Sequence, residues 1–341
     1  MKSDHAPTSG PMEGSRPLEV AQQLRWFAAA RLRRHARLRR HARLPTLVVL
    51  LVLPLLIPSA HVASVARTAA TYGVLALGYA VVLGLCGQFT MAHAALFGVG
   101  AYAAGILAAN LGVDPWLTLP VAIVLAAIAG AVLGLSALRV AGDLLAIVTL
   151  AAGQLAQLVF VGWTPVTGGN AGIPDVPALR LGGHLLIEEH ELYLLAALVL
   201  VLAVVCLDRL KGSGFGLALQ SIREDEVLAA ANGVAVGGHK LIAFALSGAF
   251  AGAAGWLEAT AIGAVSPTTY DVVLSVLVAV MVLLAGAGRV YAVLAGAAFV
   301  AVLQDLLSSL PLVETGAIGA AIVAVIMWRS GVFTRRWRPA L

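Results

Sequence analysis

Gln88, Thr90 and His93 stand within one apolar stretch of the chain, and Gln154 and Gln157 stand one helical turn apart within another. A polar side chain set in apolar sequence is costly unless it is paired or faces a cavity, so each is a candidate for chemistry. The chemistry open to amides, a hydroxyl and an imidazole is hydrogen bonding. Such groups can orient an ammonium or a carboxylate without a fixed charge that would trap it. The alternative is that His93 and Gln154 simply bond neighbouring helices. Glu258, Asp271 and Asp305 fall in or beside apolar runs. They suit the wetter outer ends of their segments, and a proton relay is the other use for such groups. No nucleophile-and-base set and no metal-ligand cluster can be assembled, so neither a catalytic residue nor a cofactor is expected. Cys86 and Cys206 lie far apart, each in an apolar run, where cysteine usually serves as a small buried hydrophobe; no disulfide or metal is assigned.

The elements that hold these residues are membrane spans. Of 341 residues, 60% are hydrophobic and 11% charged, with a mean hydropathy of +0.95. A soluble domain could not bury that much apolar surface. About ten stretches reach the length needed to cross a bilayer as helix, with eight or nine possible because the first and last are short. They centre near residues 52, 76, 100, 126, 153, 199, 251, 280, 300 and 322. The expected fold class is an all-α integral membrane protein.

Lys and Arg total 22 against 17 Asp and Glu, a net charge of +5, with the basic residues gathered toward the ends. This pattern describes topology and excludes an extended nucleic-acid surface. Residues 1–44 end in a tandem R-R-H-A-R-L repeat; Arg25, Arg31, Arg33, Arg34, Arg37, Arg39, Arg40 and Arg43 occur there without an acid among them. Such a segment is held on the cytoplasmic side and can touch anionic lipid. A cleaved signal peptide is the other reading, but Pro58-Ser59-Ala60-His61-Val62-Ala63 fits a small-x-small cleavage site poorly. Arg329, Arg335, Arg336 and Arg338 place the C-terminus inside as well, so an even span count is expected. Threading about ten spans between these ends puts Arg139, Asp143, Arg289 and the segment 208–240 inside. Asp114, Asp175, Glu188, Glu189, Glu191 and Glu314 fall outside, with Arg67 and Arg180 as exceptions to the charge rule. The organisation read from this is an Arg-rich, disordered extension 1–44, a transmembrane region 45–328 and a basic tail 329–341. Within the transmembrane region, only 163–190 outside and 208–240 inside are long connections; the rest are short hairpins. Small-residue spacings, Gly130 with Gly134, Gly248 with Gly252 and the row Ser247, Ala251, Gly255, Ala259, are read as close helix packing.

The segment 208–240 carries its own helical pattern. Ser221 and Glu224 have capping-box spacing, Glu224, Asp225 and Glu226 fill a first turn, and Gly233 after Asn232 marks a C-cap. These signals predict a helix of roughly three turns from Ile222 to Asn232. Val227, Leu228 and Ala231 are its apolar members, while Ala229 and Ala230 keep its surface shallow. It is either a solvated connector or a helix that docks into a partner's groove.

The stretch S-I-R-E-D-E-V-L-A-A-A-N-G-V from Ser221 resembles the coupling-loop motif of branched-chain amino acid ABC permeases of the LivM type. G-Q-F-T-M-A-H-A-A-L-F-G-V-G-A-Y-A-A at 87–104 is similar to that family's first signature. R-V-A-G-D-L-L-A-I-V-T-L at 139–150, with T-G-G-N-A-G-I at 167–173, is similar to its second. Lys240 through Ala254, Ser266-Pro267 and G-A-G-R-V-Y-A-V-L-A-G-A at 285–296 are similar to its C-terminal part. The resemblance covers 65–310 and implies an ABC importer permease fold. It also implies a second homologous permease subunit, two cytosolic ATPase subunits and an extracytoplasmic substrate-binding protein, in a plasma (inner) membrane. On that reading Ser221, Glu224, Asp225, Glu226, Ala229, Ala230 and Gly233 couple the chain to its ATPase. Gln88, Thr90, His93, Gln154, Thr167, Gly168, Gly169 and Asn170 are candidates for the translocation pathway. The T-G-G-N-A-G-I-P segment from Thr167 is a gate, a docking patch for the binding protein, or an ordinary turn. K-G-S-G-F-G at 211–216 lacks the Lys-Ser/Thr ending of a phosphate loop, so energy must come from another subunit. Gln154 stands where the family usually has Glu, Leu144 replaces Tyr, Thr90-Met91-Ala92 replaces Ser-Leu-Gly, and Tyr291-Ala292 stands for Gly-Pro. These departures keep a short amide such as urea open as an alternative cargo to a branched-chain amino acid. An ion-coupled secondary transporter is the competing class.

Overall fold

The apolar stretches become helices because a bilayer offers backbone polar groups no other partner. The computed structural model describes residues 59–140, 142–286 and 289–308. The expected spans near 52 and 322, the extension 1–44, Glu314 and the tail 329–341 lie outside the described residues. Helix α1 (Ala60–Tyr79) runs into a π-helical turn, Ala80–Leu85. Helix α2 (His93–Gly105) likewise continues as Ile106–Asn110. There follow α3 (Pro115–Ser136), α4 (Asp143–Gly162) and α5 (Glu189–Gly212). The short α6 (Gly214–Glu224) and α7 (Glu226–Ala231) precede α8 (Val236–Ile262), α9 (Val272–Ala285) and α10 (Val290–Leu307). Among the described residues seven helical segments are long and apolar enough to cross a membrane, and α9 is a shorter apolar one. They coincide with the expected centres from 76 to 300. The two-residue strands β1 (Arg180–Leu181) and β2 (His184–Leu185) form a hairpin across Gly182-Gly183.

Local chemistry fixes several helix ends. Asp114 caps α3 by accepting the Trp116 N–H at 2.8 Å, with Pro115 at the first position. Glu189 and Glu191 open α5 while Arg209 and Lys211 close it, matching the helix dipole. Asp271 caps α9 through the Leu274 N–H at 3.1 Å.

Helix α8 is the centre of the packing, lying against α3, α2 and α1. The small-residue rows work there as expected. A Cβ at Gly100 would stand 2.5 Å from the Gly252 Cα, and one at Gly130 would collide with the Phe244 carbonyl. Gly248 and Gly255 meet the Ala126 and Phe97 carbonyls in the same way. The Trp256 indole N–H is shared by the Pro115 carbonyl (2.9 Å) and the Thr118 hydroxyl (3.0 Å), tying α8 to the start of α3. On its other side, α1 packs against α5 and α10.

Three expectations need correction. The connection between α1 and α2 is not a simple hairpin: residues 86–92 form an irregular break in which Cys86, Thr90 and Ala92 are buried. Gln88 and Thr90 therefore lie in that break instead of within a helical span. Cys86 is a buried free thiol, but Cys206 is exposed on α5. Glu258 is not at a wetted helix end; it is buried, and its Oε2 finds no partner among the described residues.

Candidate functional site

The segment between α5 and α8 departs from the expected three-turn helix. Ser221 is not a cap: it sits inside α6 and donates its hydroxyl to the Ala218 carbonyl at 2.8 Å. The chain then straightens at Asp225 (φ −157°, ψ 111°), and Asp225 caps α7 by accepting the Leu228 N–H at 2.9 Å. Glu224 ends α6, and Glu226 is the first residue of α7. The physical reason is competition between two overlapping capping signals, which Asp225 wins because extended backbone there frees its carboxylate to turn back on the next helix. The C-terminal expectation holds. Gly233 takes φ +84°, and the Gly233 and Val234 N–H groups bond the Ala230 and Ala229 carbonyls.

Helix α7 is anchored from below. Lys240, only 2% exposed, reaches Glu226 Oε2 at 2.7 Å and Oε1 at 2.8 Å, and the Ala137 carbonyl at the end of α3 at 3.5 Å. Ala229 packs inward, while Ala230 is exposed. The outward face carries Val227 at 79% and Leu228 at 60% exposure. Among the described residues no large apolar side chain is more exposed than Val227.

At the opposite end of α6, Ser213 accepts the Gly216 N–H at 3.2 Å and donates to the Leu210 carbonyl at 2.7 Å, fixing the turn out of α5. Leu219 and Ile222 are buried, turning one face of α6 inward. Its penultimate residue, Arg223, donates from Nη1 to the Gly84 carbonyl at 2.6 Å. That carbonyl belongs to the π-helical turn that ends α1.

The break 86–92 is held by hydroxyls. The Met91 N–H goes to Thr149 Oγ1 at 3.0 Å, the Ala92 N–H to Thr90 Oγ1 at 3.4 Å, and the Ala94 N–H to Ser275 Oγ at 2.9 Å. These side chains meet the backbone donors that a helix start leaves orphaned. His93 opens α2 with its Nε2 on Ser247 Oγ at 2.6 Å and its ring edge-on to Tyr79 at 4.5 Å. His93 thus bonds a neighbouring helix, the simpler of its two readings.

The remaining candidates fall elsewhere. Gln154 lies on the exposed side of α4, whereas Gln157 donates to the Pro267 carbonyl at 3.2 Å. Thr167 is buried and its hydroxyl donates to the Phe160 carbonyl at 2.7 Å. Gly168 and Gly169, both at positive φ, and Asn170 turn the chain back toward Ile173, which pairs with Val265 by two 2.9 Å backbone bonds. Phe160, Tyr102, Tyr270 and Phe97 form an aromatic cluster next to that junction. The candidate pathway residues therefore form separate groups: Gln88, Thr90 and His93 at the break, Gln154 on the exposed α4 face, and Thr167 to Asn170 at the far end. A shallow apolar groove of about 580 Å³ lies on α4, lined by Leu155, Leu158, Val159, Gly162 and Trp163, none of them a candidate pathway residue.

The acids do not join. Asp271 caps α9, Asp305 pairs with His61 at 3.1 Å, and Glu258 lies within electrostatic reach of Arg67. Arg67, an exception to the charge rule, is neutralised by Glu189 at 3.1 Å. Lys240, Arg223, Ser247, Ser275 and Thr149 were not among the site residues expected from the sequence. Lys240 alone left a signal, a lone cation at the start of a long apolar run and 14 residues beyond Glu226.

The sequence is similar to known proteins. The family model described as branched-chain amino acid transport system, permease component, matches residues 61–328. The high-affinity branched-chain amino acid transport system permease protein LivM of Escherichia coli (strain K12) is 33% identical over 321 residues, covering 86% of this chain and 76% of its own. The protein of the same name from Salmonella typhimurium is 32% identical over 293 residues, covering 79% and 69% respectively. No solved structure matches the chain.

Proposed function

The chain belongs to the family of branched-chain amino acid transport permease components, and from that premise we propose that it carries branched-chain amino acids through the plasma membrane as one subunit of an ABC importer. It is a multi-pass membrane protein and a transport component. Energy comes from two ATPase subunits on the cytosolic side, a second homologous permease completes the conduit, and an extracytoplasmic binding protein delivers the cargo. The chain works by alternating access and performs no covalent step of its own.

The observation that carries this reading is α7. A six-residue helix whose outer face presents Val227 and Leu228, and whose inner face is pinned by Glu226 to Lys240, is built to be covered. Two exposed aliphatic side chains on a connector outside the spans gain by entering a partner's groove, and the ion pair lets force on α7 reach α8. This favours the docking helix over the solvated connector. The second permease is supported by Gln154. An amide near the middle of α4, on a face otherwise made of Leu144, Ile147, Leu155 and Leu158, is costly against lipid and suits a polar partner. A proton relay, which the secondary-transporter reading requires, gains no support from acids that each have a separate neighbour.

The test is recovery of the tagged chain from native membrane, wild type beside a Val227→Asp, Leu228→Asp double variant. The reading expects an ABC ATPase with the wild type and not with the variant. Absence of any ATPase from both, under conditions that preserve another ABC complex, would move ion-coupled transport to first place.

A further inference from the structure

We propose that Arg223 is the positioning residue that carries motion of the docked ATPase into the membrane, by gripping the open end of α1 where the chain breaks before α2. The inference rests on the assignment of α6 and α7 as the ATPase-docking segment and adds the route beyond it.

The argument begins with an electrostatic problem. A helix that stops leaves its last carbonyls unpaired and a partial negative charge at that end. The end of α1 is such a place, and its π-helical turn displaces the ladder, so that Cys86 and Gln88 N–H groups bond back to Val81 and Val82. The Gly84 carbonyl turns instead to Arg223, whose guanidinium supplies both a donor and a positive charge to a helix C-terminus. A charged donor makes this stronger than an ordinary backbone bond.

The second observation is steric. Gly87 adopts φ +74°, and a Cβ there would stand 2.8 Å from Arg223 Cγ, 3.3 Å from its Cβ and 3.4 Å from its Cα. Glycine at 87 thus serves both the backbone turn and the close approach of α6. Arg223 contacts the break on two sides, by its guanidinium at Gly84 and by its stem at Gly87.

The third observation is what lies on either side. Toward the cytosol, Arg223 is separated from the α7 ion pair by two residues, with the single extended residue Asp225 as the joint. Toward the membrane, the break hands its Met91 N–H to Thr149 on α4, and the start of α2 that follows it bonds Ser275 on α9 through the Ala94 N–H and Ser247 of α8 through His93. A shift of α6 moves a segment that runs directly into contacts with three helices packed against α2. A continuous chain of hydrogen bonds and packed atoms is the kind of network that can carry such a displacement.

Native Cys86 reports on the break, since it is fully buried in it. The experiment uses the complete complex with Cys206, exposed on α5, replaced by Ser, and measures labelling of Cys86 by N-ethylmaleimide with and without ATP, beside transport and ATPase recovery. In the parent complex ATP changes the labelling rate. Arg223→Ala is expected to retain the ATPase, lose the ATP-dependent change and lower transport about tenfold or more, the scale of one charge-assisted hydrogen bond. Arg223→Lys, which keeps one charged donor, restores part of both. An Arg223→Ala complex that keeps the ATP-dependent labelling and normal transport overturns the proposal. Should Arg223→Ala fail to assemble, Gly87→Ala disturbs the same contact from the membrane side with the docking surface intact; normal transport in that variant overturns the proposal and uncoupled ATP hydrolysis supports it. Failure of the parent chain to recover any ATPase instead removes the docking assignment on which the inference stands.

Discussion

Lys240 and Glu226 form a pair of unequal partners: the Lys240 side chain is 3% exposed and that of Glu226 47%. Removing either member therefore has different consequences. Glu226→Leu strands an ammonium in a buried site with only the Ala137 carbonyl at 3.5 Å. Lys240→Met leaves a carboxylate that water can reach. The first is expected to cost on the order of 3 kcal/mol and the second about 1 kcal/mol or less, between the values of buried and exposed pairs. Thermal unfolding of the two purified variants checks the order. Equal loss in both would mean that the pair is solvated and that α7 is held by packing alone. At this scale little was legible in advance. Glu226 was singled out as a helix-dipole acid, but its partner lies beyond a turn in the next helix, and no spacing rule joins a carboxylate on a connector to a cation at the foot of a span.

Helix α7 is short enough for its cap to matter. Six residues make too few hydrogen bonds to stand alone, so Asp225, Gly233 and the Lys240 anchor share the stabilisation. Asp225→Ala is expected to cost about 1 kcal/mol of local stability and to speed amide exchange across 226–231 about fivefold. Ser221→Ala is expected to leave that exchange unchanged, since its hydroxyl serves Ala218. The reverse result would restore the capping box at Ser221 and a continuous helix from Ile222. The composition of the segment announced a helix start, but three consecutive acids after a Ser offered overlapping caps. Their resolution depended on α6 burying Leu219 and Ile222, a tertiary demand that extends α6 through the position where sequence placed a start.

The exposed apolar residues of α4 bear on how the whole molecule sits in its complex. α4 is the most exposed of the candidate spans, and it carries Gln154 near its middle. A single cysteine introduced at Leu155 is expected to cross-link to the second permease in native membrane, and Gln154→Leu to weaken recovery of that subunit. Labelling of the same cysteine by a lipid-phase reagent, without a cross-link, would assign the face to the bilayer. The opposite arrangement holds for α1, which is enclosed by α5, α8 and α10. Equal hydropathy does not separate these two environments, because lipid and protein interior are both apolar.

Sequence by itself determined the membrane class, the family and the positions of eight helices between residues 60 and 307, because length and apolar content are summed along the chain and need no knowledge of neighbours. It also identified the glycine rows that let α8 meet α2 and α3, since close approach requires small residues whatever the partner. Tertiary structure alone decided that Gln88 to Ala92 leave the helical ladder, that His93 turns to Ser247, and that Arg223 reaches Gly84 across 139 residues of sequence. These are polar groups whose cost in an apolar setting is set by what stands opposite them, and the pairing exists only once helices from distant parts of the chain have packed.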